Sequence, residues 1–409
     1  MSAAGWVLWL GVAGGIAFTL WQRAASSVAR FLLPALMFKL TCGVALGWLY
    51  LHIFQQGDTF PFFQDGVQIA SLAQNDPAGY LSFLWHARNS TAVWHELAFT
   101  EPRSLFFTKI LSVVCLVAGG NYWLCALWLS LISFASAWLL VNRLALWYPE
   151  YAGSFGIAFL FWPSVVFWSS GVLKETVALA ALFVLVRVAL EGVHTKKFTA
   201  SSVVQVLFCF WIGWSLKYYW VGLLMPFLML VVGSAHLRFW RFVAAGVVLF
   251  VIIMALHPNF FPNRLPAVIV ENYSQYHFLT GGNNTFHFPG LSPDWPGVLL
   301  NSPAALFSGL FRPFVWEAST FFHLAAALEN LALLVLTVIT LLRFRLPVAV
   351  RGWLLPLLTY ALLECTFLAL STPSWGTLTR YRVGMLPFFV LFVLMANEPL
   401  QQFFRRKSI

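Results

Sequence analysis

Apolar stretches about as long as a bilayer is thick recur along nearly the whole 409-residue chain. A helix needs roughly 20 apolar residues to cross the hydrocarbon core. Backbone polar groups at that depth are satisfied only inside a helix or a closed barrel. Candidate spans fall at 5–21, 31–54, 122–142, 152–168, 172–190, 201–214, 219–232, 242–256, 317–342, 353–370 and 383–396. The expected fold is therefore all-α: a polytopic transmembrane bundle of about eleven spans, with residues 1–409 as a single transmembrane domain.

Composition excludes a soluble domain. Hydrophobic residues make up 60% of the chain and charged residues 9%, with mean hydropathy +0.81. A soluble protein carries about a quarter of its residues as charges. The 20 Trp and 41 Phe suit belts at headgroup depth. The formal charge of +10 is scattered between apolar segments, so nucleic acid is not an expected partner. Five cysteines lie in or beside apolar stretches and form no disulfide framework. Stretch 5–21 lacks a basic start and is expected to be a retained first helix.

Basic residues orient the spans. One side receives Arg23, Arg30, Arg143, Arg187, Lys196, Lys197, Arg238, Arg241, Arg343, Arg345, Arg351, Arg405, Arg406 and Lys407, which is 14 of the 24. By the positive-inside rule that side is cytoplasmic. The expectation is a multi-pass membrane protein with its N-terminus outside and its C-terminus in the cytoplasm. Counting 104–118 as a span would put Lys196 and Lys197 outside, so that stretch is expected to be a surface helix ending at Gly119-Gly120. Two long external loops follow from this, 55–120 carrying the surface helix and 257–316. Loops of that length are usually functional or disordered, and their aromatic and proline content argues for packed structure.

Nine of the fourteen acidic residues fall on the outer side: Asp58, Asp65, Asp76, Glu96, Glu101, Glu175, Glu271, Asp294 and Glu317. With them are Arg88, Arg103, Lys109, Lys174, Lys217, Arg264, Arg312, Arg380 and Arg382. Asp58, in Gln55-Gln56-Gly57-Asp58-Thr59, stands just past the second span. A carboxylate there is placed to deprotonate a hydroxyl arriving from water, or simply to end a helix beside Gly57. Ser169-Ser170-Gly171 before Lys174-Glu175 suggests either an anion seat at a helix start or plain capping with an acid favoured by the dipole.

Lys217, Arg312, Arg380 and Arg382 are cations on the side the rule disfavours. They suit phosphate binding, or snorkelling to lipid headgroups. Lys39, Glu329 and Glu364 lie within spans. His257, His277, His287 and His323 show no metal-ligand spacing. No phosphate-cradling glycine loop and no GxSxG motif is present.

In its order of motifs the chain resembles the GT-C glycosyltransferases, polytopic enzymes that use lipid-linked sugar donors at the outer membrane face. An apolar helix ends in Gly57-Asp58, followed by Phe62, Phe63, Ala70 and Leu72. An external helix runs from Glu101-Pro102 to Gly120, and a span ends in Val141-Asn142-Arg143-Leu144. An outer turn carries Lys174-Glu175, and a short helix pair has Lys217 at its apex: Leu207…Gly213…Leu216-Lys217…Leu223…Pro226. Arg380-Tyr381-Arg382…Leu386-Pro387 opens the last span. The resemblance covers roughly 31–387, and its motifs are loose. Thr59 stands where the family usually has a second acid, Glu175 replaces the commoner Asp, and an extra helix precedes the site. Phe161-Trp162-Pro163-Ser164 and Arg312-Pro313-Phe314-Val315-Trp316-Glu317 also look like segments of membrane proteins of bacterial polysaccharide assembly.

The resemblance implies a GT-C-like fold and glycosyl transfer from a polyprenyl-phosphate-linked sugar donor to a glycan, lipid or protein acceptor, in contact with membrane lipid. By it Asp58 and Glu175 would be the catalytic carboxylates, and Lys217 with Arg380 or Arg382 would hold the donor phosphate; Lys174 and Arg312 join the phosphate-binding candidates by their charge and position alone. No motif requires a cofactor, and a divalent cation at Glu175 is the one candidate. A transporter or flippase of a lipid-linked saccharide and a non-catalytic envelope scaffold are the competing classes. Convergence of Asp58, Glu175, Lys217 and Arg380 in one cavity is what an enzyme requires and a scaffold does not.

Overall fold

The computed structural model describes residues 3–55, 57–86, 92–236, 239–281 and 284–407. Gln56, Arg88 and Arg238 lie outside the described residues. Among those described, every regular element is a helix. Seven helices are long and apolar enough to cross a membrane: Ala4–Gln22, Leu32–Phe54, Tyr122–Trp147, Lys174–Thr195, Ala200–Gly233, Phe321–Leu342 and Val348–Ser371. An eighth is added if Trp375–Gly384 and Leu386–Ala396, bent by 69°, count as one. The chain is a multi-pass helical membrane protein. The other expected spans take different forms: Ala244–Leu256 is a shorter apolar helix, and 152–168 is broken into short pieces.

Residues 200–236 form two helices. The backbone leaves helical geometry at Lys217 (φ −143°, ψ 66°). A Cβ on Gly213 would come within 2.5 Å of the Val221 side chain, although eight residues of straight helix would separate the two by about 12 Å. The chain therefore doubles back at Lys217. Tyr218, the next residue, accepts a hydrogen bond from Asn259 (2.9 Å), which lies just past the following helix, Phe239–Leu256.

The centre is built from the two most enclosed long helices, Tyr122–Trp147 and Lys174–Thr195. Small residues allow the close approach that packing in a membrane requires. Gly43 and Gly47 of the second long helix, one turn apart, lie against Ser130 and Tyr122. A side chain on either would collide with that neighbour.

The segment 152–168 carries a π turn at Ile157–Phe161, an extended Trp162, and then the short helix Pro163–Trp168. Charges from elsewhere hold both ends of that helix. Glu329 accepts from Trp162 Nε1 (2.7 Å) and from the Ser164 N–H (2.8 Å) at its start. At its end, Lys39 donates to the Ser169 carbonyl (2.5 Å). An acid at the N-terminus and a cation at the C-terminus each complement the helix dipole.

The bundle has two ends. Asp58, Glu175, Lys217 and Arg380 gather at one. At the other, Arg143 pairs with Glu191 (2.7 Å), His194 meets Tyr148 (3.1 Å) and Arg345 pairs with Glu398 (2.5 Å). Over the Asp58 end sits a small lobe with its own core of Ile69, Tyr80, Phe83, Leu97 and Leu105. Its helix Pro102–Val117 occupies the stretch read as a surface helix, and the chain leaves it through Gly119 and Gly120, both at positive φ (59° and 65°). Buried Asp65 ties the lobe together by accepting from the N–H groups of Ala98 (2.9 Å) and Phe99 (3.0 Å).

The stretch 257–316 is more ordered than a loop. It contains the helices Leu265–Leu279 and Trp295–Phe311. Gly309 packs on Cys365 and Ala369 of helix Val348–Ser371. Asn330, nine residues into its own helix, donates to the Pro313 carbonyl (3.2 Å). The segment thus dips into the bundle by about 13 Å before the next helix starts at Phe321.

Candidate functional site

Asp58 owes its position to a sharp exit from the second long helix. The last turn, Tyr50–Phe54, is a π turn, a form frequent at functional sites. Gln55 (φ 51°) and Gly57 (φ 129°) then take left-handed conformations. Gly57 is required there, since a Cβ would strike the Tyr50 ring. Asp58 stands at the N-cap of helix Thr59–Asn75 but makes no capping bond. Its carboxylate is 42% exposed and lies 3.5 Å from an Arg380 nitrogen.

Glu175 sits in the first turn of Lys174–Thr195 and is fully buried. One carboxylate oxygen is 2.7 Å from Lys217 Nζ and the other 2.9 Å from Arg380. Three remote groups hold the turn that delivers it. The Ser130 hydroxyl accepts from the Gly171 N–H (2.9 Å), the Thr59 hydroxyl donates to the Val172 carbonyl (3.0 Å), and Lys39 fixes Ser169. Gly171 has φ 68°, and a Cβ there would press on the Gly43 carbonyl at 3.2 Å.

Lys217 lies at the helix reversal, where its ammonium sits 3.6 Å above the Tyr381 ring. Four residues from four distant parts of the chain thus form one row: Asp58, Arg380, Glu175, Lys217. Their charges alternate, so every buried charge has a counter-charge. All four were singled out from sequence as candidates.

The remaining candidates go elsewhere. Lys174 turns toward the small lobe, donating to the Ser104 hydroxyl (3.2 Å) with its ammonium over the Phe62 ring. Arg382 was expected to bind phosphate but is 1% exposed. It donates to Asn330 (2.7 Å) and lies 3.9 Å from Glu329, so it is a structural cation of the bundle interior. Arg312 grips Glu317 instead of facing the row, and the Phe314 N–H adds a bond of 2.8 Å to the same carboxylate. Burial opposes ionisation of Glu317, but the Arg312 fork and that N–H outweigh it and hold the carboxyl below its usual range. The clasp adds stability above the ordinary glutamate pKa and loses it as pH falls through the lower folded-state value.

The expected anion seat at Ser169-Ser170-Gly171 is closed. The Ser170 N–H bonds to the Phe167 carbonyl (3.2 Å) and the Gly171 N–H to Ser130. Nor does the site suit a metal. Among the described residues no three His, Cys, Asp or Glu side chains gather as a ligand set, and Arg380 stands between Asp58 and Glu175.

Sequence reading missed the space beside the row. A cavity of about 870 Å³ is lined by Arg380, Phe54, Trp168, Phe322 and Glu329 among others. Its walls are mostly aromatic and aliphatic, with Arg380 as the one lysine or arginine among the described residues that line it. The only trace in the sequence is a set of aromatic residues at helix ends, which interfacial belts produce equally well. Tyr381, the ring beneath Lys217, was passed over as the spacer between two arginines. Comparison of the chain with protein-family models, with curated proteins and with solved structures gave no match.

Proposed function

We propose that this protein transfers a glycosyl group, at the outer face of a bacterial inner membrane, from a polyprenyl-phosphate-linked sugar to a glycan, lipid or protein acceptor. The observation that carries the reading is the alternating charge row whose Arg380 also lines a large apolar cavity. The cavity suits an isoprenoid chain, and Arg380 in its wall suits the attached phosphate. The acceptor hydroxyl gives its proton to Asp58 while its oxygen attacks the anomeric carbon. The bond from that carbon to the phosphate oxygen breaks, and its electron pair stays on the phosphate, whose growing charge Arg380 stabilises. Glu175 has both oxygens engaged, so it acts as the residue that positions Arg380 and Lys217. This revises the acid–base role expected of it.

The GT-C-like topology belongs to the same proposal. Counted as crossings, the seven long helices, the second arm made by the Lys217 reversal, the bent pair, Ala244–Leu256 and the broken segment 152–168 would give eleven. An odd number puts the N-terminus outside and the C-terminus in the cytoplasm, with the basic end inside.

The test is to incubate the purified protein in nanodiscs with polyprenyl-phosphate and polyprenyl-diphosphate sugars and follow free carrier by mass spectrometry. Release that depends on protein and acceptor is the expected result. Donors that bind and cross the bilayer intact would instead identify a flippase.

A further inference from the structure

A second pocket, of about 280 Å³, shares no lining residue with the apolar cavity. Lys217 lines the small pocket and Arg380 lines the large one, and both are pinned to the same carboxylate. The chemistry of the two differs. The small pocket is walled by charged groups, amides and tyrosines, including Asn259, Asn272 and Tyr276. Its volume is at the lower limit of ligand sites, enough for one sugar-sized group.

The ionisable lysines, arginines and acids lining it are Arg103, Lys174, Lys217 and Glu101. Lys217 is engaged with Glu175. Arg103 and Lys174 are held only by neutral groups. Arg103 lies over the face of Tyr218 at 5.5 Å, and Lys174 meets the Ser104 hydroxyl and the Phe62 ring. Neither has a carboxylate within ion-pair distance among the described residues. Glu101 also lines the pocket but pairs with neither, so the two cations keep their capacity for charge-assisted bonds. The platform beneath Arg103 is rigid, because Tyr218 stacks on His257 (3.9 Å between ring centres) and its hydroxyl accepts from Asn259. Tyrosine faces cover the C–H side of a pyranose, and side-chain amides bond its hydroxyls.

We infer that this pocket binds a single anionic saccharide unit, a sugar bearing a carboxylate or a phosphate, through Arg103 and Lys174. That the unit belongs to the acceptor rests on the function proposed above; that the pocket binds it does not. The acceptor would then approach the charge row from the lobe side while the donor lipid lies in the apolar cavity.

The experiment is ligand-observed NMR titration of the full-length protein in nanodiscs, without any lipid donor. The probes are glucose, glucuronate, glucose 1-phosphate and inorganic phosphate. At least one anionic sugar should bind tenfold or more tightly than glucose, and the better of the two identifies carboxylate or phosphate as the group read. Arg103→Gln should weaken that binding at least tenfold and Arg103→Lys should restore part of it, with the melting temperature unchanged because Arg103 is exposed. Equal binding of glucose, or full affinity in Arg103→Gln, overturns the proposal. Inorganic phosphate binding as tightly as glucose 1-phosphate removes its saccharide part. Carrier release is scored separately, so anionic-sugar binding without release would count against glycosyl transfer and leave the pocket assignment standing.

Discussion

Asp58→Asn is expected to lower carrier release at least about 100-fold while leaving the protein as stable as the wild type, since a positioned general base contributes 10²–10⁴-fold. The substitution keeps the shape and replaces the basic, charged carboxylate with a neutral amide. It should be structurally mild for two reasons visible at the site. Asp58 makes no capping bond to its helix, and its contact with Arg380 is long (3.5 Å) and on a half-exposed side chain. Arg380 keeps the closer of its two carboxylates, Glu175 at 2.9 Å. The measurement pairs initial rates of carrier release with a melting curve in the same detergent. Turnover at the wild-type rate would remove Asp58 as the base.

Glu175 predicts the opposite pattern. Glu175→Ala should destabilise the fold by about 3–5 kcal/mol, the usual consequence of removing one partner from a buried pair. Lys217 is 4% exposed and the Arg380 side chain 12%, so neither reaches enough water to make up the loss. Glu175→Gln keeps the volume but not the charge and should fall between Ala and the wild type. Combining Glu175→Gln with Lys217→Met should recover part of the deficit, since that removes a stranded cation along with its anion. Chemical denaturation followed by circular dichroism decides the matter. If Glu175→Ala unfolds at the wild-type midpoint, the row is not the anchor its geometry implies.

Much of this site was legible because charge beside lipid is costly. An ionisable group at the end of an apolar helix needs a partner, and Asp58, Glu175, Lys217 and Arg380 supply partners to one another. The sequence could not separate Arg380 from Arg382. Two residues apart, they look equivalent, but the helix Trp375–Tyr381 ends between them and Arg382 begins a 3₁₀ turn. One guanidinium therefore faces the row, and the other turns inward to Asn330. The Ser169-Ser170-Gly171 turn failed as an anion seat for a related reason. Its Ser170 N–H is taken by the neighbouring Phe167 carbonyl, and its Gly171 N–H by Ser130, on a helix far away in the chain. Helix Trp295–Phe311 was hidden because its 17 residues fall short of a full crossing. Its re-entry depends on small residues, such as Gly309, meeting a groove on Val348–Ser371 that only the assembled bundle creates.

The helix Pro163–Trp168 has a consequence for energy coupling. Of the in-span groups Lys39, Glu329 and Glu364, the first two are hydrogen-bonded against its two poles. Held there, neither moves without breaking those bonds. A voltage imposed across proteoliposomes would find no gating charge in them, so catalysis should proceed at the same speed with the membrane polarised or short-circuited by an ionophore.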